Sequence, residues 1–230
     1  MGLYDRNYMS NTHASAESVA AQDSALVRFV KTTYIFFAAS LFFAFIGAMV
    51  GFMNLQMVFE NRMVIFIAEI AALFGLMFSR SKPGLNIAML FIFTTLTGLA
   101  ITPLVAMVAL KAGAGAVAMA FAMSTIIFGV MSIFGIKTRK DLANMGKMLF
   151  IALIVVAVCS IVNIFFGSSM FQVLISSAAA ILFSVYVAYD TQNIIRGLYT
   201  SPVDAAISLY LDFYNIFVSL LSLIGLTNRD

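Results

Sequence analysis

Seven apolar runs set the possibilities for this 230-residue chain, at about 27–52, 63–80, 85–110, 112–136, 145–166, 171–196 and 202–226. Each has the length of a helix that crosses the roughly 30 Å hydrocarbon core, which takes about 20 residues. Inside a bilayer every backbone N–H and C=O must find a partner within the protein, so such runs become helices. Composition agrees: 63% of residues are hydrophobic and 10% are charged, against about 45–50% and 25% in soluble domains. A soluble globular domain and a disordered chain are excluded, and no nucleic-acid partner is expected. The expected fold is an all-α membrane protein, a seven-transmembrane-helix bundle over residues 26–227 behind a polar tail at 1–25.

Turn chemistry divides the runs. Lys82-Pro83-Gly84 interrupts a helix after Arg80, and Gly167-Ser168-Ser169 separates the fifth run from the sixth. Gly197 sits where the sixth should stop, and Ser201-Pro202-Val203-Asp204 reads as an N-cap with Pro at the first helical position. The weakest break lies between the third and fourth runs, marked by Lys111, Gly113 and Gly115. With the N-terminus inside, Arg6, Arg28, Lys31, Arg80, Lys82, Lys137, Arg139, Lys140, Lys147 and Arg196 lie inside. Only Arg62, Lys111 and Arg229 lie outside. This bias predicts a cytoplasmic N-terminus and a C-terminus outside.

Several residues read as structural or inert. Cys159, alone, forms no internal disulfide, and His13, alone in the tail, has no companions for a metal site. Gly47 and Gly51 form a GxxxG, read as close packing within the bundle in preference to homodimerisation. The polar start is not a signal peptide.

Ionisable groups in apolar surroundings are the informative ones, because a charge at the bilayer centre costs at least about 2.5–3.5 kcal/mol. Glu69, Asp190 and Asp212 qualify. The sixth and seventh runs form a hairpin. Asp190 lies six residues before Arg196, about 9 Å deep, and Asp212 ten after Pro202, about 15 Å deep. Helix tilt absorbs that difference, so the carboxylates can meet. Two such groups cannot both ionise cheaply; they titrate as a unit and can share a proton, which suits a pH-sensitive latch. Arg80 is either the latch cation or a snorkelling arginine at a helix end. Glu69, eleven residues before Arg80, projects from the same face and is read as pore or cavity lining. Asn163 and Asn215 offer further polar lining, although either alone is more often helix–helix glue than a ligand. Asp190 and Asp212 would hold Ca²⁺ weakly, as a permeating ion requires. No HExxH, GxSxG or phosphate loop is present, nor the Gly-x-Gly-Asp of intramembrane aspartyl proteases, so no enzyme and no cofactor are expected.

Certain segments are familiar. Tyr189-Asp190-Thr191-Gln192 and Ser208-Leu209-Tyr210-Leu211-Asp212-Phe213-Tyr214-Asn215-Ile216-Phe217 resemble the Bax inhibitor-1 family of membrane proteins. Thr138-Arg139-Lys140-Asp141-Leu142, Gly98 through Pro103 and Asn163-Ile164-Phe165 extend the resemblance, which covers about residues 20–228. It implies a bundle with a central last helix and a pH-dependent calcium leak. In that reading Asp190 and Asp212 are the paired-aspartate sensor, Arg80 pairs with them in the closed form, and Glu69 lies near the pore. Short loops and an end at Asn228-Arg229-Asp230, without the basic tail of eukaryotic members, suggest a bacterial inner-membrane protein. Some bacterial relatives are associated with a membrane-anchored ATP-dependent protease. The expected partners are thus the lipid bilayer, Ca²⁺ and protons, and alternatively that protease, with the tail as its contact.

Overall fold

The computed structural model describes residues 3–82 and 84–227, with side chains from residue 22 onward. His13 and Arg229 therefore lie outside the described side chains, and Pro83 outside the described residues. All regular structure among the described residues is helical: α1 (Leu3–Met53), α2 (Leu55–Glu60), α3 (Arg62–Phe78), α4 (Leu85–Ala112), α5 (Ala114–Lys137), α6 (Gly146–Phe166), α7 (Ser169–Ile195) and α8 (Pro202–Thr227). A 3₁₀ turn at Ala143–Met145 precedes α6.

Six of these are long and apolar enough to cross a membrane: the Gln22–Met53 part of α1, α4, α5, α6 with its preceding turn, α7 and α8. The expected second span differs. It is α3, with 17 residues, about 25 Å long, preceded by the separate six-residue α2. Asn54 and Asn61 mark the breaks. Their amides donate to the carbonyls of Val50 (3.0 Å) and Met57 (2.9 Å), four residues back, drawing on each preceding turn. Helix α3 also ends earlier than expected. The Ser79 hydroxyl donates to Leu76 O at 3.0 Å, so Arg80 falls in the following turn rather than in the last helical turn.

Close approaches between backbones fix the arrangement. A Cβ on Gly47 would strike Thr95, one on Gly51 would strike Thr102, and one on Gly98 would strike Ala44. The GxxxG is therefore spent inside the bundle, on the α1–α4 crossing. Phe43–Phe91, Gly47–Thr95 and Gly51–Thr102 rise together in sequence, so α1 and α4 run parallel, and α2–α3 must carry the chain back between them. At the weak break, Gly113 has φ +84°, a conformation that costs glycine little. Helix α8 packs against α1, α4, α5 and α7. Its Leu209, Tyr210, Ile216 and Leu221 are fully buried, so the last helix is central. Phe213 of α8 meets Phe37 of α1 and Phe121 and Phe128 of α5 edge to face, at 5.6–6.2 Å.

Candidate functional site

Helices α7 and α8 form an antiparallel hairpin closed by residues 196–201. Ser201 caps α8, its hydroxyl accepting from Val203 N–H at 3.2 Å. The hairpin brings Asp190 and Asp212 together. Their carboxyl groups are near enough to interact electrostatically and are 6% and 3% exposed. Asp212 Oδ2 has no hydrogen-bond partner. A buried acceptor left unmatched costs about 1–3 kcal/mol.

Tyr199, from the connection, covers the pair. Its hydroxyl is within hydrogen-bond reach of Asp190 and Ser208. Burial, with Asp190 beside it, pushes the phenol well above its usual range, so Tyr199 keeps its proton and acts as a donor. On the α5 side, Gln192 seals the site. Its Oε1 accepts from Leu142 N–H at 2.8 Å and its Nε2 donates to Lys140 O at 3.0 Å. Thr191 reaches the Ser132 hydroxyl at 3.4 Å. Outside this seal Arg196 pairs with Asp141, which also accepts from Ala143 N–H at 3.1 Å.

Arg80 does not join the pair. Its Nε lies 3.2 Å from Asp204 Oδ1, in the first turn of α8, and its side chain is 55% exposed. The guanidinium leaves from a turn at the rim and meets the first carboxylate it encounters there. Glu69 is also elsewhere. It is half-buried and interacts electrostatically with Tyr210 and Tyr214. Those phenols converge on Thr97 of α4: Tyr210 on its hydroxyl, and Tyr214 donating to its carbonyl at 3.3 Å. The polar residues therefore form three groups: the aspartate pair, the Arg80–Asp204 rim pair and the Glu69–Thr97–tyrosine cluster. No group of three or more His, Cys, Asp or Glu is present among the described residues, so a cation at Asp190 and Asp212 would draw its remaining oxygens from water and neutral groups.

A family model described as "Inhibitor of apoptosis-promoting Bax1" matches residues 26–229. The chain belongs to the Bax inhibitor-1 family. A relative from Helicobacter pylori is 61% identical over the full length of both chains. One from Vibrio cholerae, named an uncharacterized membrane protein, is 33% identical over 87% of this chain and 90% of its own. One from Escherichia coli K12, named modulator of FtsH protease YccA, is 35% identical over 71% of this chain and 76% of its own. The same match in a second E. coli strain is named inner membrane protein YccA. With six helices long and apolar enough to cross a membrane, and relatives named as a membrane protein and an inner membrane protein, this family member is an integral membrane protein of the bacterial inner membrane.

The family segments locate the remaining polar residues. Asn215 donates to Leu211 O at 2.7 Å and lines a cavity of about 470 Å³ with Ser160, Gln172, Ser176 and Ser219. Asn163, read as pore lining from the sequence, is not among that cavity's lining residues. Its Nδ2 donates to Gln172 at 2.9 Å and its Oδ1 accepts from Ser168 N–H at 3.1 Å, so both ends hold the α6–α7 turn. Tyr199 was not singled out in the sequence, and Asp204 only as part of the start of the last helix. Tyr199, in a short turn with no motif of its own, gave no signal.

Proposed function

We propose that this protein is a pH-sensitive cation leak with Ca²⁺ as its cargo, gated by Asp190 and Asp212. The observation that carries this reading is the adjacency of two buried carboxyl groups, one with an oxygen lacking a partner. While the pair shares a proton it joins α7 to α8. When that proton leaves, two like charges face each other; at about 4 Å and an effective dielectric near 20 they repel by about 4 kcal/mol. Separation of the helices or entry of a cation relieves the repulsion, and either opens the seal. The 470 Å³ cavity with its hydroxyl and amide lining supplies neutral oxygens that hold an ion weakly. In this reading the basic face is cytoplasmic and α2–α3 completes a seventh crossing, which places the chain ends on opposite sides.

The test is Ca²⁺ flux into proteoliposomes between about pH 6 and 8 for wild type, Asp190→Asn and Asp212→Asn. The expected result is a pH-dependent flux whose pH response disappears in both variants. Correctly inserted wild type that passes no Ca²⁺ overturns the proposal.

A second reading follows the E. coli relative named as a modulator of a protease. Here the chain binds a membrane-anchored ATP-dependent protease of that kind through its polar N-terminal segment. Deletion of residues 1–24 should abolish co-purification with the protease, while the asparagine variants should retain it. Unchanged co-purification after the deletion removes tail-mediated contact.

A further inference from the structure

We propose that a second cavity, at the basic end of the α7–α8 hairpin, is the chamber from which water and protons reach Asp190, and that the Tyr199 ring is its gate. The cavity has a volume of about 250 Å³ and is lined by Ala143, Tyr189, Asn193, Leu198 and Tyr199. A water molecule occupies about 30 Å³ of liquid, so several fit. Water also needs polar partners, and Asn193 offers one. The residue is 7% exposed, lines this cavity, and its Oδ1 accepts no hydrogen bond. An orphaned carbonyl oxygen on the wall of a cavity of this size calls for a donor from within it.

Tyr199 belongs to both compartments. It lines the chamber, and its hydroxyl reaches Asp190 on the far side. The phenol is thus the partition between them. Beside it, the Gln192 bonds to Leu142 and Lys140 and the Thr191–Ser132 contact tie α7 to the α5–α6 connection and to α5. The partition sits in a connection whose Gly197, Leu198 and Thr200 are exposed.

The titratable groups around the pair leave the chamber as the proton source. Tyr186 of α7 senses both carboxylates, and Tyr199 faces Asp190. At the rim stand Arg196 with Asp141, from the α5–α6 connection, and Arg80 with Asp204, from the α3–α4 connection and α8. When the ring swings aside, a hydronium in the chamber gives its proton to a carboxylate oxygen of Asp190 and is left as water. Tyr199 keeps its own proton throughout, so it is a positioning residue and not a relay.

The inference rests on the titrating pair proposed above, but its test does not depend on ion flow. The full chain in proteoliposomes is exposed, on its basic face, to an impermeant water-soluble carbodiimide with glycine ethyl ester. The reagent adds to the carboxyl, the amine displaces it as a urea, and the amide on Asp190 is read by peptide mass. Wild type should label slowly. Tyr199→Ala should label about tenfold faster, as expected when a local barrier is removed. Tyr199→Phe, which keeps the ring, should stay near wild type. Asn193→Leu, which fills the chamber and leaves Tyr199 in place, should label more slowly than wild type, and it keeps the test open if Tyr199→Ala does not fold. Equal rates in Tyr199→Ala and wild type overturn the gate, as does a Tyr199→Phe rate equal to that of Tyr199→Ala. An Asn193→Leu rate at or above wild type overturns the chamber. Wild type that gates its labelling yet passes no Ca²⁺ would retire the leak and leave the access route standing.

Discussion

The α1–α4 crossing makes a quantitative demand on Gly98. A Cβ there would lie 1.9 Å from the carbonyl oxygen of Ala44 and 2.7 Å from its carbonyl carbon, whereas non-bonded heavy atoms of this kind rest more than about 3 Å apart. In Gly98→Ala the two helices must part by more than about 1 Å. The obstacle is backbone, so no rotamer change relieves it. A gap of that width forfeits about half of the dispersion energy at the contacts it opens, and overpacking costs about 1–3 kcal/mol. Better helix propensity returns about 1 kcal/mol, so the net loss should be about 0–2 kcal/mol. Gly129 of α5 is the internal control: nothing stands within 4 Å of its added Cβ. Gly129→Ala keeps only the propensity gain of about 1 kcal/mol. The gain is common to both, so the two variants should differ by the overpacking cost of about 1–3 kcal/mol, or roughly 2–12 °C in midpoint for a chain of this size. Thermal unfolding in detergent, followed with a thiol-reactive dye on the free and partly buried Cys159, reads the difference. Equal midpoints for Gly98→Ala and Gly129→Ala would refute the close crossing. The adjacent Thr97 holds the Tyr210 and Tyr214 hydroxyls, so the same substitution should also disturb the Glu69 cluster.

Two further outcomes concern the α5–α6 connection. Gln192→Ala removes both bonds to Leu142 N–H and Lys140 O and leaves buried backbone unmatched, so it should cost about 2–3 kcal/mol; amide exchange across residues 138–145 should speed up, and unchanged protection there would contradict the seal. The Ala143 N–H and then Arg196 hold the exposed Asp141 carboxyl below its ordinary range. A lowered folded value means that its support is present above the unfolded value of about 3.9 and is lost as pH falls through the folded one. Exchange protection of the same segment should be flat from about pH 8 to 5 and should fall below about pH 4, a step that Asp141→Asn removes; a step nearer neutrality would assign it to another group.

The spans were legible because bilayer thickness converts run length directly into helices, and the aspartate pair because a short hairpin fixes depth on both arms. Arg80 was misplaced by two residues of helix. Ser79 turns its hydroxyl back onto Leu76 and ends α3 early, which leaves the guanidinium outside, beside Asp204. Glu69, read as pore or cavity lining, lines neither described cavity; it meets Tyr210 and Tyr214 instead, because counting depth does not say which side of α8 it faces. The role of Asn163 depends on Gln172, nine residues away across a turn, and no period in the sequence pairs them. The extra helix α2, between the first and second runs, is bounded by Asn54 and Asn61 bonding to their own preceding turns, a local competition that apolar counting does not register.

Helix α8 carries Tyr210 and Tyr214 toward Thr97 and Glu69, and Asp212 toward Asp190. Two residues along a helix turn about 200°, so these groups stand on opposite flanks of one rod. The rod is stiff and held on four sides. It acts as a common axle: a roll large enough to withdraw Asp212 from Asp190 also drags both phenols across Thr97. The two polar clusters share no hydrogen bond with each other among the described residues, yet neither can be rearranged by such a roll while the other stays at rest.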